Sequence, residues 1–208
     1  MNDEQPRPSA RTSRADEIAA LLVNVGALTD EHLLLEDGLH GGRRLDRTFL
    51  TQPSAALTAT AQMLAAESAE RVASEGSAID LVIWAESESA IVAQELSAAL
   101  GVPALSGSHV HQPDLIPPRA RALIVAGIIT ADETLHALIP TLYLVGAHPI
   151  AVATVLDGSH RRPTFPVEGR EPLPLITAAT FEGSVAASEH CPRCAAGEPI
   201  DQPNRGRD

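Results

Sequence analysis

Between Ala122 and Thr134 the chain reads ALIVAGIITADET. Leu123, Ile124, Val125 and Ala126 form an unbroken apolar run, the pattern of a parallel strand covered on both faces. The small residues that follow read as a loop into a helix starting near Asp132. Upstream, DLVIW from Asp80 to Trp84 is a second apolar strand, and Ser89 to Leu100 is a helix stopped by Gly101. Together with an extended segment from Val102, these make a strand–helix–strand unit, which sets two strands parallel.

The remaining segments fit around such a sheet. Residues 1–12, rich in Pro, Arg, Ser and acidic side chains, read as a disordered lead-in, 13–200 as a single domain and 201–208 as a flexible tail. Ser13 and Asp16 mark the start of a packing helix that ends at Gly26. Pro53 to about Ser74 is a long Ala-rich helix with Pro53 in its first turn. The helix from Asp132 to Val145 contains Pro140, which should kink or break it near Ile139. IAVATVL, from Ile150 to Leu156, is a further strand that runs into Asp157.

Composition narrows the function classes. Hydrophobic residues make up 44% of the chain but aromatics only 2%, so the core is built from Ala, Val, Leu and Ile, which suits Ala-rich helices on a parallel sheet. A formal charge of −12 opposes a nucleic-acid surface. All 15 basic residues are Arg, which removes any chemistry that needs a lysine. No apolar run has the length of a membrane span, and no signal-peptide core is visible, so a cytoplasmic location is expected.

The thirteen positions from Ala122 to Thr134 align without a gap to the ribose-phosphate motif of orotate phosphoribosyltransferases. In that motif four apolar residues, two acidic residues and two more apolar residues precede Thr-Thr-Gly-Gly-Ser or a close variant. The Gly26 to Asp46 stretch also resembles this family, with Gly26, Ala27, His32, Leu34, Gly38 and His40 in matching places. So does the tail, where Cys191, Pro192, Cys194, Gly197, Pro199, Ile200 and Pro203 reproduce a Cys-Pro-x-Cys ending. The resemblance implies a type I phosphoribosyltransferase fold: α/β, a central mainly parallel sheet flanked by helices, with a small hood built from the N- and C-terminal segments. It also implies orotate and phosphoribosyl pyrophosphate (PRPP) as substrates, Mg2+ accompanying PRPP, and a dimer.

The chemistry that the resemblance implies is missing at four places. Ala126 and Gly127 stand where the family has the acidic pair that holds the ribose hydroxyls, and neither side chain accepts a hydrogen bond. In the phosphate loop, Thr130, Ala131, Asp132, Glu133 and Thr134 put two carboxylates in the places of glycines. A Thr130-x-x-Glu133 capping box there would use N–H groups that a phosphate needs. The pyrophosphate loop, Gly-rich in the family, is Glu86, Ser87, Glu88 and Ser89. The segment Ala104 to Pro118 lacks the catalytic Lys, and Asp157-Gly158 replaces an Asp-Arg pair, leaving Arg161 and Arg162 as possible anion contacts. Leu33 takes the place of the base-pocket aromatic, and Glu36 and Asp37 would face an anionic base.

These losses point to a catalytically inactive or impaired paralogue that acts as a scaffold, regulator or ligand-binding protein, as a homodimer or with an active relative. An active orotate phosphoribosyltransferase in pyrimidine biosynthesis is the alternative. A third reading is a cationic or metal-bound ligand at Glu86, Glu88, Asp132 and Glu133, against which these residues are simply solvated caps. His109 and His111 would share one side of an extended strand and could chelate a metal, although a solvated pair is the plainer reading. No catalytic residue, cofactor or metal is assigned. Cys191 and Cys194 supply two of the four ligands that a structural zinc needs; His190 or a symmetry mate would have to complete the set, and a plain reduced pair is simpler.

Overall fold

A computed structural model describes residues 14–34, 38–129, 133–159, 164–167, 169–180 and 185–201. The expected lead-in lies outside the described residues. Helix α1 (Arg14–Asn24) is followed by three short strands, β1 (Leu28–Asp30), β2 (Leu39–Gly41) and β3 (Arg43–Leu45), and a single-turn helix α2 (Arg47–Thr51). Then come α3 (Ala55–Ser74), β4 (Leu81–Trp84), α4 (Ala90–Leu100), β5 (Ala104–Ser106), β6 (Arg121–Ile129), α5 (Glu133–Leu144) and β7 (His148–Asp157). The chain continues through β8 (Phe165–Val167), β9 (Arg170–Leu173), β10 (Leu175–Thr180), β11 (Val185–Ala187) and the short helix α6 (Pro192–Ala195).

Five of these strands form one sheet in the order β10-β7-β6-β4-β5, every neighbouring pair parallel. The apolar run that marked β6 in the sequence is its central strand, and alternate side chains feed two cores. Leu123 and Val125 pack with Ile18 and Leu22 of α1, Leu57, Ala61 and Leu64 of α3 and Val92 and Leu96 of α4. Ala122, Ile124 and Ala126 pack on the other face with Leu135, Leu138, Ile139 and Leu142 of α5. The shortage of aromatics is met by close helix packing, with Ala61 and Ala65 of α3 and Ala93 of α4 almost fully buried.

Local signals set most boundaries. Ser54 caps α3, its Oγ accepting from the Leu57 N–H at 3.1 Å, so Pro53 precedes the helix and does not lie in its first turn. A 3-10 turn, Ser87–Ser89, leads into α4, which therefore begins at Ala90; it ends at Gly101, in the left-handed conformation at φ 69°. The break expected near Ile139 does not occur, because α5 continues to Leu144 with Pro140 inside it. Pro140 is on the exposed side, while Leu138, Ile139 and Leu142 are buried against the sheet and hold the helix through it. His109 and His111 are not on an extended strand: His109 ends a 3-10 turn, Gly107–His109, and both rings are exposed.

The hood consists of two antiparallel ribbons, β1 with β3 and β2 with β11, which bring the two ends of the chain together. Leu33 bridges to Asp201, the first residue of the expected tail, and the Asp201 N–H donates to the His32 carbonyl. Among the described residues no helix is long and apolar enough to cross a membrane.

Where β4 and β6 begin, Asp80 joins them. Arg121 donates to its carboxylate from Nε and Nη2, both at 2.7 Å, and from its backbone N–H at 2.9 Å. These bonds hold the Asp80 carboxyl at about 2, below its ordinary 3.8. A carboxylate whose folded-state value is depressed stabilises the fold above its unfolded value, and the contribution disappears as pH falls through the folded one. Asp80→Asn is expected to lower the thermal midpoint at pH 7, with the gap to the wild-type chain closing between about pH 4 and pH 2; a gap independent of pH in thermal melts would refute the assignment.

Candidate functional site

In open parallel sheets, ligands bind beyond the carboxyl ends of the strands. At that edge the end of β6 lies between the turn after β4 and the end of β7. Ala126 is buried toward α5, and Gly127 faces α2 on the other side. The Gly127 N–H donates to Ser89 Oγ at 2.8 Å, and its carbonyl accepts from Thr154 Oγ1 at 3.3 Å. A Cβ at Gly127 would stand 2.5 Å from Leu50 Cδ1. The space a side chain at this position would need is therefore filled by Leu50, which is fully buried. Ser89, one of the pyrophosphate-loop positions, is likewise buried and bonded to the strand.

The other loop positions form an acidic rim. Glu86, Ser87 and Glu88 line an open cavity of about 280 Å3 together with Arg47 and Ile128. Arg47 Nη1 donates to both carboxylate oxygens of Glu88, at 2.7 and 2.6 Å, so the cationic lining residue is already committed. Glu86 has no such partner among the described residues of the cavity; burial first, and then the neighbouring Glu88, pushes its carboxyl above the ordinary value. An incoming phosphate would meet an arginine paired with Glu88 through Nη1 and, beside it, the Glu86 carboxyl.

Of the remaining sequence candidates, Thr134 is exposed in the first turn of α5, which Glu133 opens. Thr130, Ala131, Asp132, Arg161, Arg162, Glu36 and Asp37 lie outside the described residues. Asp157 is buried at the end of β7, where its carboxylate accepts from the N–H and hydroxyl of Ser159. Leu33 is buried in the hood.

A second cluster lies in the hood. His32, His40, Cys191 and Cys194 each offer one donor atom, and all four atoms fall within 4.8 Å of one another. His190, expected beside the cysteine pair as a possible third ligand, instead points to solvent near Glu189. Backbone N–H groups of Cys194, and then Arg193, aim at the Cys191 sulfur and hold its thiol below the usual range. Sequence reasoning placed His32 and His40 only as matches in the Gly26 to Asp46 stretch. Arg47 and Leu50 gave no sequence signal, since their roles depend on α2 lying across the ends of β4 and β6.

Gly127→Ala is expected to cost about 1–3 kcal/mol through overpacking against Leu50. In a double-mutant cycle with Leu50→Ala the two changes should couple favourably, the second making room for the first. Strict additivity in denaturant unfolding would show that the contact is not limiting.

No family model matches the chain. Its sequence is similar to the orotate phosphoribosyltransferase of Acidithiobacillus ferrooxidans, 28% identical over 202 residues, covering 92% of this chain and 98% of the relative. It is also similar to that of Carboxydothermus hydrogenoformans, 24% identical over 193 residues, covering 90% and 96%. In structure it resembles the orotate phosphoribosyltransferase of Aeropyrum pernix with a TM-score of 0.58 at 18% identity, over 79% of this chain and 95% of that one. The parallel sheet and its helix layers thus have the type I phosphoribosyltransferase-like fold, and the chain resembles orotate phosphoribosyltransferases.

Proposed function

We propose that this chain is a phosphoribosyltransferase-fold protein that does not bind PRPP productively and acts as a scaffold, regulatory or ligand-binding paralogue. The observation that carries the reading is the packing of Leu50 against Gly127, since the end of that side chain would have to move aside before a second acid of the ribose-binding pair could stand there. The first position, Ala126, is buried against α5 and offers no acceptor. The acidic rim of Glu86 and Glu88, with Arg47 already paired, supports the same conclusion at the pyrophosphate-loop position. Association would be with a second copy or with an active relative, in the cytoplasm.

The alternative is an active orotate phosphoribosyltransferase that makes orotidine 5′-phosphate from orotate and PRPP in pyrimidine biosynthesis. Similarity to enzymes of that name over nine-tenths of the chain favours it. On that reading Mg2+ enters with PRPP, and Thr130, Thr134 and Arg161 or Arg162 take over the anion contacts. The cationic-ligand reading has only the carboxylates in its favour, and one of those, Glu88, is paired.

Calorimetric titration with PRPP and Mg2+, followed by orotate, separates the two. The expected result is no binding heat and no formation of orotidine 5′-phosphate by a protein shown to be folded. Saturable PRPP binding with turnover would establish the alternative.

A further inference from the structure

The hood is built from short ribbons, of which β1–β3 sends Leu28 and Leu45 into the main core. Each of its two sheets has two short strands, and such ribbons are marginal in water without a core or a staple. Yet the hood buries two imidazoles: His32 is 2% exposed and His40 5%. Both rings face the Cys191–Cys194 pair, and Cys194 lies 154 positions beyond His40 in the chain.

The donor atoms outline a coordination shell. His32 Nε2 lies 3.3 Å from His40 Nδ1 and 3.5 Å from each of the two sulfurs, and His40 Nδ1 lies 3.0 Å from Cys194 Sγ. A tetrahedral zinc with ordinary bond lengths spaces its ligands at roughly 3.3 Å for two nitrogens and roughly 3.5 Å for nitrogen and sulfur. The tautomer is set as well. His32 Nδ1 lies 3.0 Å from the Glu198 carbonyl, to which it donates, so the lone pair of Nε2 is directed at the cluster. A carbonyl behind a ligating imidazole is the usual second contact of a metal-bound histidine.

We propose that His32 Nε2, His40 Nδ1 and the sulfurs of Cys191 and Cys194 bind one zinc ion, a structural site that fastens the C-terminal segment to the hood. Two thiolates and two imidazoles select a borderline-soft divalent metal over Mg2+ or Ca2+. Four protein ligands leave no open position for substrate or water, so the ion does no chemistry. On binding, the two thiols lose their protons to solvent, and the two thiolate charges balance the ion. The site closes the same seam as the β2–β11 pairing and the Leu33–Asp201 bridge. It stands whichever reading of the sheet edge is correct.

The test uses the full chain, purified under a thiol-free reductant. Elemental analysis is expected to find one zinc per chain, and Co2+ substitution to give the visible absorption of a tetrahedral site with a thiolate charge-transfer band. Removing zinc with a chelator should lower the thermal midpoint, and adding Zn2+, but not Mg2+, should restore it. Cys194→Ser and His40→Gln should lose stoichiometric metal, whereas His190→Gln and His109→Gln should keep it. A wild-type chain that takes up no zinc at excess Zn2+, or that isolates with Cys191 and Cys194 as a disulfide, overturns the proposal. So does a folded His40→Gln variant that binds zinc as tightly as wild type. The chelator arm needs no variant, so misfolding of a substituted chain does not leave the question open.

Discussion

β6 is buried on both faces, and the other elements are placed by that constraint. A strand with a helix layer on either side exposes its backbone only at its ends, so any ligand chemistry must occur at the carboxyl edge. At this edge the chain has extended its packing outward. Leu50 approaches Gly127 closely enough that a β-carbon there would push its side chain aside, and Ser89 and Thr154 take up the Gly127 backbone groups. The result is a strand end stabilised by contacts of its own, at the place where a phosphoribosyltransferase keeps hydrogen-bonding capacity in reserve for a sugar.

Electrostatics follow the same trend. A pyrophosphate site needs uncommitted donors, and glycines allow the backbone to supply them at close range. Here the turn after β4 carries carboxylates, and the arginine that reaches it is satisfied within the protein by Glu88. Surface pairs of this kind contribute little to stability. The effect on binding is larger, because a ligand would have to displace Glu88 before it could use the Arg47 charge. Glu86 then adds repulsion in a partly buried setting where charge is poorly screened.

Much of this architecture could be read from local sequence, and the exceptions share a physical cause. The apolar runs of β4 and β6, the Gly101 stop and the strand–helix–strand unit are local patterns, and the fold follows them. Pro140 misled because a local breaker was outweighed by burial of Leu138, Ile139 and Leu142, a tertiary effect. Ala126 and Gly127 at the expected acidic positions were legible, but Leu50, which packs beside Gly127, was not. The cysteine pair suggested a nearby histidine, His190, whereas the structure supplies His32 and His40 from the opposite end of the chain.

The sheet and the hood therefore answer different physical demands. The sheet is held by a helix layer on each face, and the exposed loops at its edge contribute little to that core. The hood adds to the core through Leu28 and Leu45, and its β2–β11 pairing and Leu33–Asp201 bridge join segments distant in sequence. Four convergent His and Cys side chains in the hood and a sheet edge lined by Leu50 and the Arg47–Glu88 pair are thus held by different kinds of contact.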